Sequence, residues 1–218
     1  MTIAIPTFAP GSISSYSELV TEVRDLMDDA DYSQTAIDRA LRKAEAEFNR
    51  TLRTPEMETR SILMVTSELT TLPADFLELR YVFQEGAPDR ALKSMSPAGM
   101  LAAYSGVAGF PEAYAIEGGQ MRVGPVGNAT LELVYYRPLY PLSDAVPSNW
   151  LLAKHPDLYV AGVMYHLARR ERDADGMTQA GQEVSALLDA IKLSASRNRW
   201  GAAPLTPVGV RQVRGARV

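Results

Sequence analysis

The chain has no cysteine in its 218 residues. Disulfides and thiolate metal centres are therefore excluded, and the composition fits a chain made in a reducing cytosol. Histidine is nearly absent too, with only His155 and His166. His155 precedes Pro156-Asp157 at an expected helix start, and His166 lies in an apolar segment. Both read as structural. Long hydrophobic runs are missing as well. The densest, Leu158 to Ala168, is interrupted by His166 and falls short of the ~20 residues that a membrane-spanning helix requires. The N-terminus, Met1-Thr2-Ile3-Ala4-Ile5-Pro6, lacks a basic region and an extended apolar core, so it is not expected to be a secretory signal. Pro6, Pro10 and Gly11 mark an extended arm instead.

Signatures of chemistry are also missing. There is no G-x-S-x-G elbow, no Walker A lysine motif and no G-x-G-x-x-G. Asp29-Ala30-Asp31-Tyr32-Ser33 begins like a calcium loop. It then places Gln34 where the turn needs glycine and Ala40 where a bidentate glutamate is needed. Asp173-Ala174-Asp175-Gly176 fails because its glycine comes too early. Both clusters read as solvated acidic turns. No cofactor or metal is expected, and no enzymatic activity. A pocket of convergent titratable groups would instead point to a nucleic-acid-binding or hydrolytic protein.

What is present is an asymmetry of charge. The net charge is −4, but residues 197–218 carry Arg197, Arg199, Arg211, Arg214 and Arg217 and no acid. The rest of the chain therefore carries −9. A basic tail on an acidic body suggests that the tail has its own partner. Clustered cations suit nucleic acid, but Trp200 is the tail's single aromatic, so a stacking platform is missing. The other reading is a peptide docking into an acidic groove of a partner, with Trp200 and Leu205 as anchors.

The apolar pattern predicts α+β architecture. A helix is expected from Ser15 to Met27, opened by the capping box Ser15-Tyr16-Ser17-Glu18 and closed by the acidic run Asp28 to Asp31. A second should follow Ser33, with Ile37, Ala40, Leu41, Ala44, Phe48 and Leu52 as its apolar stripe. Asp38, Arg39, Arg42, Lys43, Glu45 and Glu47 should cover its opposite face. Residues 1–56 thus form an arm and a helical hairpin. Residues 57–137 read as a β-rich insertion, with strands at Ile62–Val65, Glu78–Phe83 and Thr130–Tyr136. Ala115–Glu117 and Gln120–Val123 should form a hairpin around Gly118-Gly119. Pro73–Phe76 reads as a turn and Pro97–Tyr104 as a short helix. Residues 138–196 form a proline-rich loop and helices packing on the N-terminal hairpin. One helix is expected from Trp150 to Arg172, its middle apolar all round and so buried. Asn149 should cap it, with Asp157 capping its longer part, and Trp150 is read as a core residue. Another is expected from Asp175 to Leu193, with Ala180, Val184, Leu187, Leu188 and Ile191 inward. Residues 197–218 read as an extended tail.

Three passages carry a resemblance. The longest is Tyr135-Tyr136-Arg137-Pro138, continuing through Leu142-Ser143-Asp144 and Asn149-Trp150-Leu151-Leu152 to Pro156-Asp157-Leu158-Tyr159. The others are Leu72-Pro73-Ala74-Asp75-Phe76 and Glu47-Phe48-Asn49-Arg50. Together they resemble the head-to-tail adaptor (connector) proteins of tailed phages, over about residues 14–200. The resemblance implies a virion structural protein made in the host cytoplasm, forming a ring of about twelve copies beneath the portal protein. Such a ring extends the DNA channel and offers a platform to tail or nozzle proteins. Genomic DNA would pass through the lumen without specific binding, which an acidic wall favours. The basic tail would dock on the portal. Another neck role, as stopper or tail-completion protein, is the alternative.

Overall fold

The computed structural model describes residues 13–200. Helix α1 spans Tyr16–Leu26 and α2 spans Gln34–Thr51. The Ser15 side chain accepts the Glu18 N–H and caps α1 as expected. The reciprocal half of the box is displaced by one residue, because the Glu18 carboxylate accepts the Ser14 N–H at 2.7 Å rather than that of Ser15. Ser33 occupies the N-cap position of α2 without a side-chain capping bond. All six residues of the expected α2 stripe are buried.

A single 3-10 turn, Pro55–Met57, leads into eight strands. They are β1 (Glu58–Val65), β2 (Leu69–Thr71), β3 (Glu78–Gln84), β4 (Ala87–Ala91), β5 (Lys93–Ser94), β6 (Ala113–Glu117), β7 (Gln120–Gly124) and β8 (Ala129–Tyr136). Helix α3, Pro97–Tyr104, lies between β5 and β6. The strands form two four-stranded sheets, ordered β1-β8-β3-β4 and β2-β7-β6-β5. The β6–β7 hairpin turns at Gly118 and Gly119, whose φ values of 56° and 78° suit a two-residue loop that side chains disfavour. β5 pairs with β6 in parallel, which requires the crossover that α3 supplies.

The two sheets share one apolar core. Leu63, Val65, Val82, Leu131 and Leu133 come from the first, Met121 and Val123 from the second. In β1 the run Ile62–Val65 splits by strand alternation. Leu63 and Val65 face inward, while Ile62 is 59% and Met64 71% exposed. β8 belongs to two cores. Tyr135 packs among the sheets, and its neighbour Tyr136 points the other way into the helical core.

The chain closes with α4 (Trp150–Lys154), α5 (Pro156–Glu171) and α6 (Ala174–Trp200). The single helix expected from Trp150 to Arg172 is thus two. His155, at φ −140° and ψ 61°, breaks it, because the residue before proline is driven out of the helical region. α5 packs against α1, α2, α4 and α6, as its all-round apolarity predicts. Gly162 permits the close α2–α5 crossing, where an added Cβ would lie 2.7 Å from Phe48 Cζ. α6 runs past Leu193 to Trp200. Ala195 is buried and extends the stripe of Ala180, Val184, Leu188 and Ile191 by one more turn. Arg197 and Arg199 then suit the negative end of the helix dipole, and the next glycine in sequence is Gly201.

Candidate functional site

The three passages singled out in the sequence meet along one seam between α2, the Pro138–Pro147 loop and the end of β8. The Tyr135 hydroxyl donates to Asp75 Oδ1 at 2.8 Å, and its ring lies 5.6 Å from that of Phe76. Burial and the Asp75 carboxylate push the Tyr135 hydroxyl up to about 12. The Leu77 N–H donates to the Tyr136 carbonyl at 2.9 Å. The Leu72–Phe76 passage is therefore pinned to the strand that opens the long passage.

Helix α2 holds the loop that follows. Asn49 Oδ1 accepts the Leu139 N–H at 2.7 Å, and Glu45 Oε1 accepts the Leu142 N–H at 2.7 Å. Arg42 donates through Nη1 to Glu45 Oε2 at 2.8 Å and through Nη2 to the Leu142 carbonyl at 2.9 Å. Leu142 thus has both backbone groups satisfied by side chains of one helix. Glu45 departs from the sequence expectation of an outward face: it is 4% exposed. Its burial outweighs the Arg42 pairing and raises its carboxyl above the ordinary value. The signal was present in the sequence as a polar row, Arg42, Glu45 and Asn49, at helical spacing beside the apolar stripe.

The far end of the loop is held by Asn149. Its Oδ1 accepts the N–H groups of Leu151 and Leu152 at 3.1 and 2.9 Å, capping α4. Its Nδ2 donates to the Tyr140 carbonyl at 2.9 Å and to the Tyr159 hydroxyl at 2.7 Å. Burial pushes the Tyr159 hydroxyl upward. The Tyr159 ring meets Phe48 edge-on at 5.5 Å. Asp157 is not the cap of α5. That position falls to His155, and Asp157 sits in the first turn, accepting the Leu158 N–H at 2.9 Å. Trp150 is partly buried against the helical core. This network is a clasp: its polar groups are matched to one another and to backbone, and what it does is lock a proline-rich loop onto two helices.

His166 is half-buried on α5, its Nε2 3.6 Å from Glu47 Oε2. That atom has no hydrogen-bond partner among the described residues. Desolvation lowers its pKa below the ordinary value. His155 stands at the α4–α5 break. Among the described residues no group of three or more His, Asp or Glu could hold a metal ion, and no helix is long and apolar enough to cross a membrane.

Of the tail residues expected to dock, Arg197 is exposed near the end of α6. Arg199 and Trp200 belong to the last turn of α6, so they do not start an extended segment. Leu205, Arg211, Arg214 and Arg217 lie outside the described residues, as does the N-terminal arm. α6 has 27 residues and so a length of about 40 Å, which carries the start of the basic segment far from the acidic turn at Asp173.

No curated protein matches the chain. A family model described as SU10 adaptor protein matches residues 14–211. That span contains the whole clasp and all six helices, and it continues to Arg211, further than the sequence motifs could be followed. The chain belongs to the SU10 adaptor protein family, the structural head-to-tail adaptors of phage virions.

Proposed function

We propose that the protein forms a ring of about twelve copies beneath the portal, extends the DNA channel, and presents a platform to tail or nozzle proteins. The observation that carries this reading is the family match, which runs through α6 and into the basic segment to residue 211. Helices packed around α5 supply a rigid body for lateral, head-to-tail contacts between copies. The net −9 of residues 1–196 suits a wall past which DNA slides without counterion-releasing contacts. In this reading the segment after α6 docks on the portal. Trp200 and Leu205 are its apolar anchors, and Arg197, Arg199, Arg211, Arg214 and Arg217 match acidic groups there.

The test is a truncation after Trp200, which leaves α6 whole. Far-UV circular dichroism and thermal melting should match the full chain, while binding to purified portal in sedimentation should be lost. Binding of the full chain should also weaken with added salt. A truncated protein that binds portal as the full chain does would refute the docking assignment.

A further inference from the structure

A groove of about 650 Å³ runs between α1, α5 and α6. Leu26, Met27, Val160 and Met164 contribute its apolar floor, and Leu26 is 52% exposed. Its rim carries Glu22, Asp157, Glu171, Asp173 and Glu183 and no basic residue. The rim at first suggests a cationic ligand. Three of the five carboxylates, however, are already engaged. Asp157 accepts the Leu158 N–H at 2.9 Å, Asp173 the Gly176 N–H at 3.1 Å, and Glu171 the Tyr32 hydroxyl at 2.7 Å. Asp157 and Asp173 stand at the starts of α5 and α6, where negative charge complements the helix dipole. Helix starts thus account for much of the rim. They leave the exposed apolar floor unexplained.

The chain itself enters the described structure at this groove. Ile13 lines it and packs on the helical core. The 12 residues before it include Ile3, Ile5 and Phe8 and no charged side chain. We infer that residues 1–12 lie back along the groove of their own chain and cover its floor with these three side chains. The distances allow it. The 11 residues of α1 span about 16 Å, which about five extended residues cover, so a chain leaving Ile13 brings Phe8 to the Leu26 end. An uncharged arm meets no like charge on the rim. Tethering raises its effective concentration to the millimolar range, so modest apolar contacts suffice. The basic C-terminal segment is the rival occupant by charge. It starts at Trp200, 17 residues of helix or about 26 Å beyond Glu183, the groove residue nearest it on α6.

Because the protein has no cysteine, a pair can be introduced cleanly. Thr7→Cys with Glu22→Cys leaves the floor and the three arm side chains intact. A short bis-maleimide should bridge this pair within one chain, at least fivefold faster than a control pair of Thr7→Cys with Arg90→Cys. Phe8→Asp should abolish the bridge. Deleting residues 1–12 should raise binding of an apolar fluorescent dye several-fold, with circular dichroism unchanged. A bridge between two chains would mean that another copy's arm fills the groove, and would overturn the inference. So would a bridging rate equal to the control. Dye binding that rises only on removal of residues 201–218 would assign the groove to the basic segment, against this reading.

Discussion

Replacing Glu45 by alanine should destabilise the fold far more than replacing it by glutamine. Glu45 Oε1 is the acceptor for the N–H of Leu142, a residue with no exposed surface. Alanine strands that donor in the interior, at a cost of about 1–3 kcal/mol. It also removes the partner of Arg42, but that side chain is 48% exposed, so the ion pair adds only about 0–1 kcal/mol. The total is roughly 2–4 kcal/mol, a drop of roughly 5–12 °C in Tm for a chain of this size. Glutamine keeps an oxygen for Leu142 and gives up only the charge, so it should cost under about 1 kcal/mol. The charge also has a pH signature. Burial raises the Glu45 carboxyl above its reference value of 4.5. Between that value and the raised one, the folded protein holds more protons than the unfolded chain, so this group's contribution to stability falls as pH rises through the window. Glutamine lacks that loss, and its stability relative to wild type should improve across the same window. Urea unfolding of the three proteins at several pH values measures both effects. Alanine and glutamine variants of equal stability would refute the role assigned to the Leu142 bond.

Three further outcomes follow from the same geometry. Gly162→Ala drives a Cβ to 2.7 Å from Phe48 Cζ and 3.2 Å from Ala44 Cβ, and should cost about 1–3 kcal/mol in denaturant unfolding through separation of α2 from α5. Asn149→Ala removes the cap of α4 and two bonds to the loop, and should cost about 2–3 kcal/mol, with faster amide exchange at Leu151 and Leu152. His166 should titrate below 6.5 by NMR, since burial outweighs the attraction of Glu47, and Lys43, Arg169 and Arg50 add to the depression. Its folded pKa is lowered, so the unfolded chain takes up the proton first as pH falls. Stability is lost from about pH 6.5 downward, and His166→Phe should remove that part of the acid sensitivity.

The helices were legible where a cap or a periodic stripe marked them, as at Ser15 and along Ile37 to Leu52. The hairpin was legible because Gly118-Gly119 admits few other turns. Short strands were not: β2, β4 and β5 have two to five residues and exist through their pairing with neighbours distant in sequence. The break at His155 was written in Pro156 but was masked by the continuous apolarity around it. Glu45 was misplaced because helical periodicity alone cannot know that a loop nearly one hundred residues later covers that flank of α2. The end of α6 was set too early because Ala195, a small residue, adds little to an apolar pattern yet packs well. The clasp was visible only as familiar words in the sequence. Its meaning emerged when Asp75, Asn49 and Tyr135 proved to belong to one seam.

The central claim is that this chain builds a ring at the head-to-tail junction, held to the portal by the segment after α6. Cryo-electron microscopy of the neck of the assembled virion tests it most directly. The account predicts a closed ring of this fold beneath the portal, an acidic lumen, and density for residues 201–218 against portal protein. The protein found elsewhere on the particle, a strongly basic lumen, or those residues making no contact with the portal would contradict it.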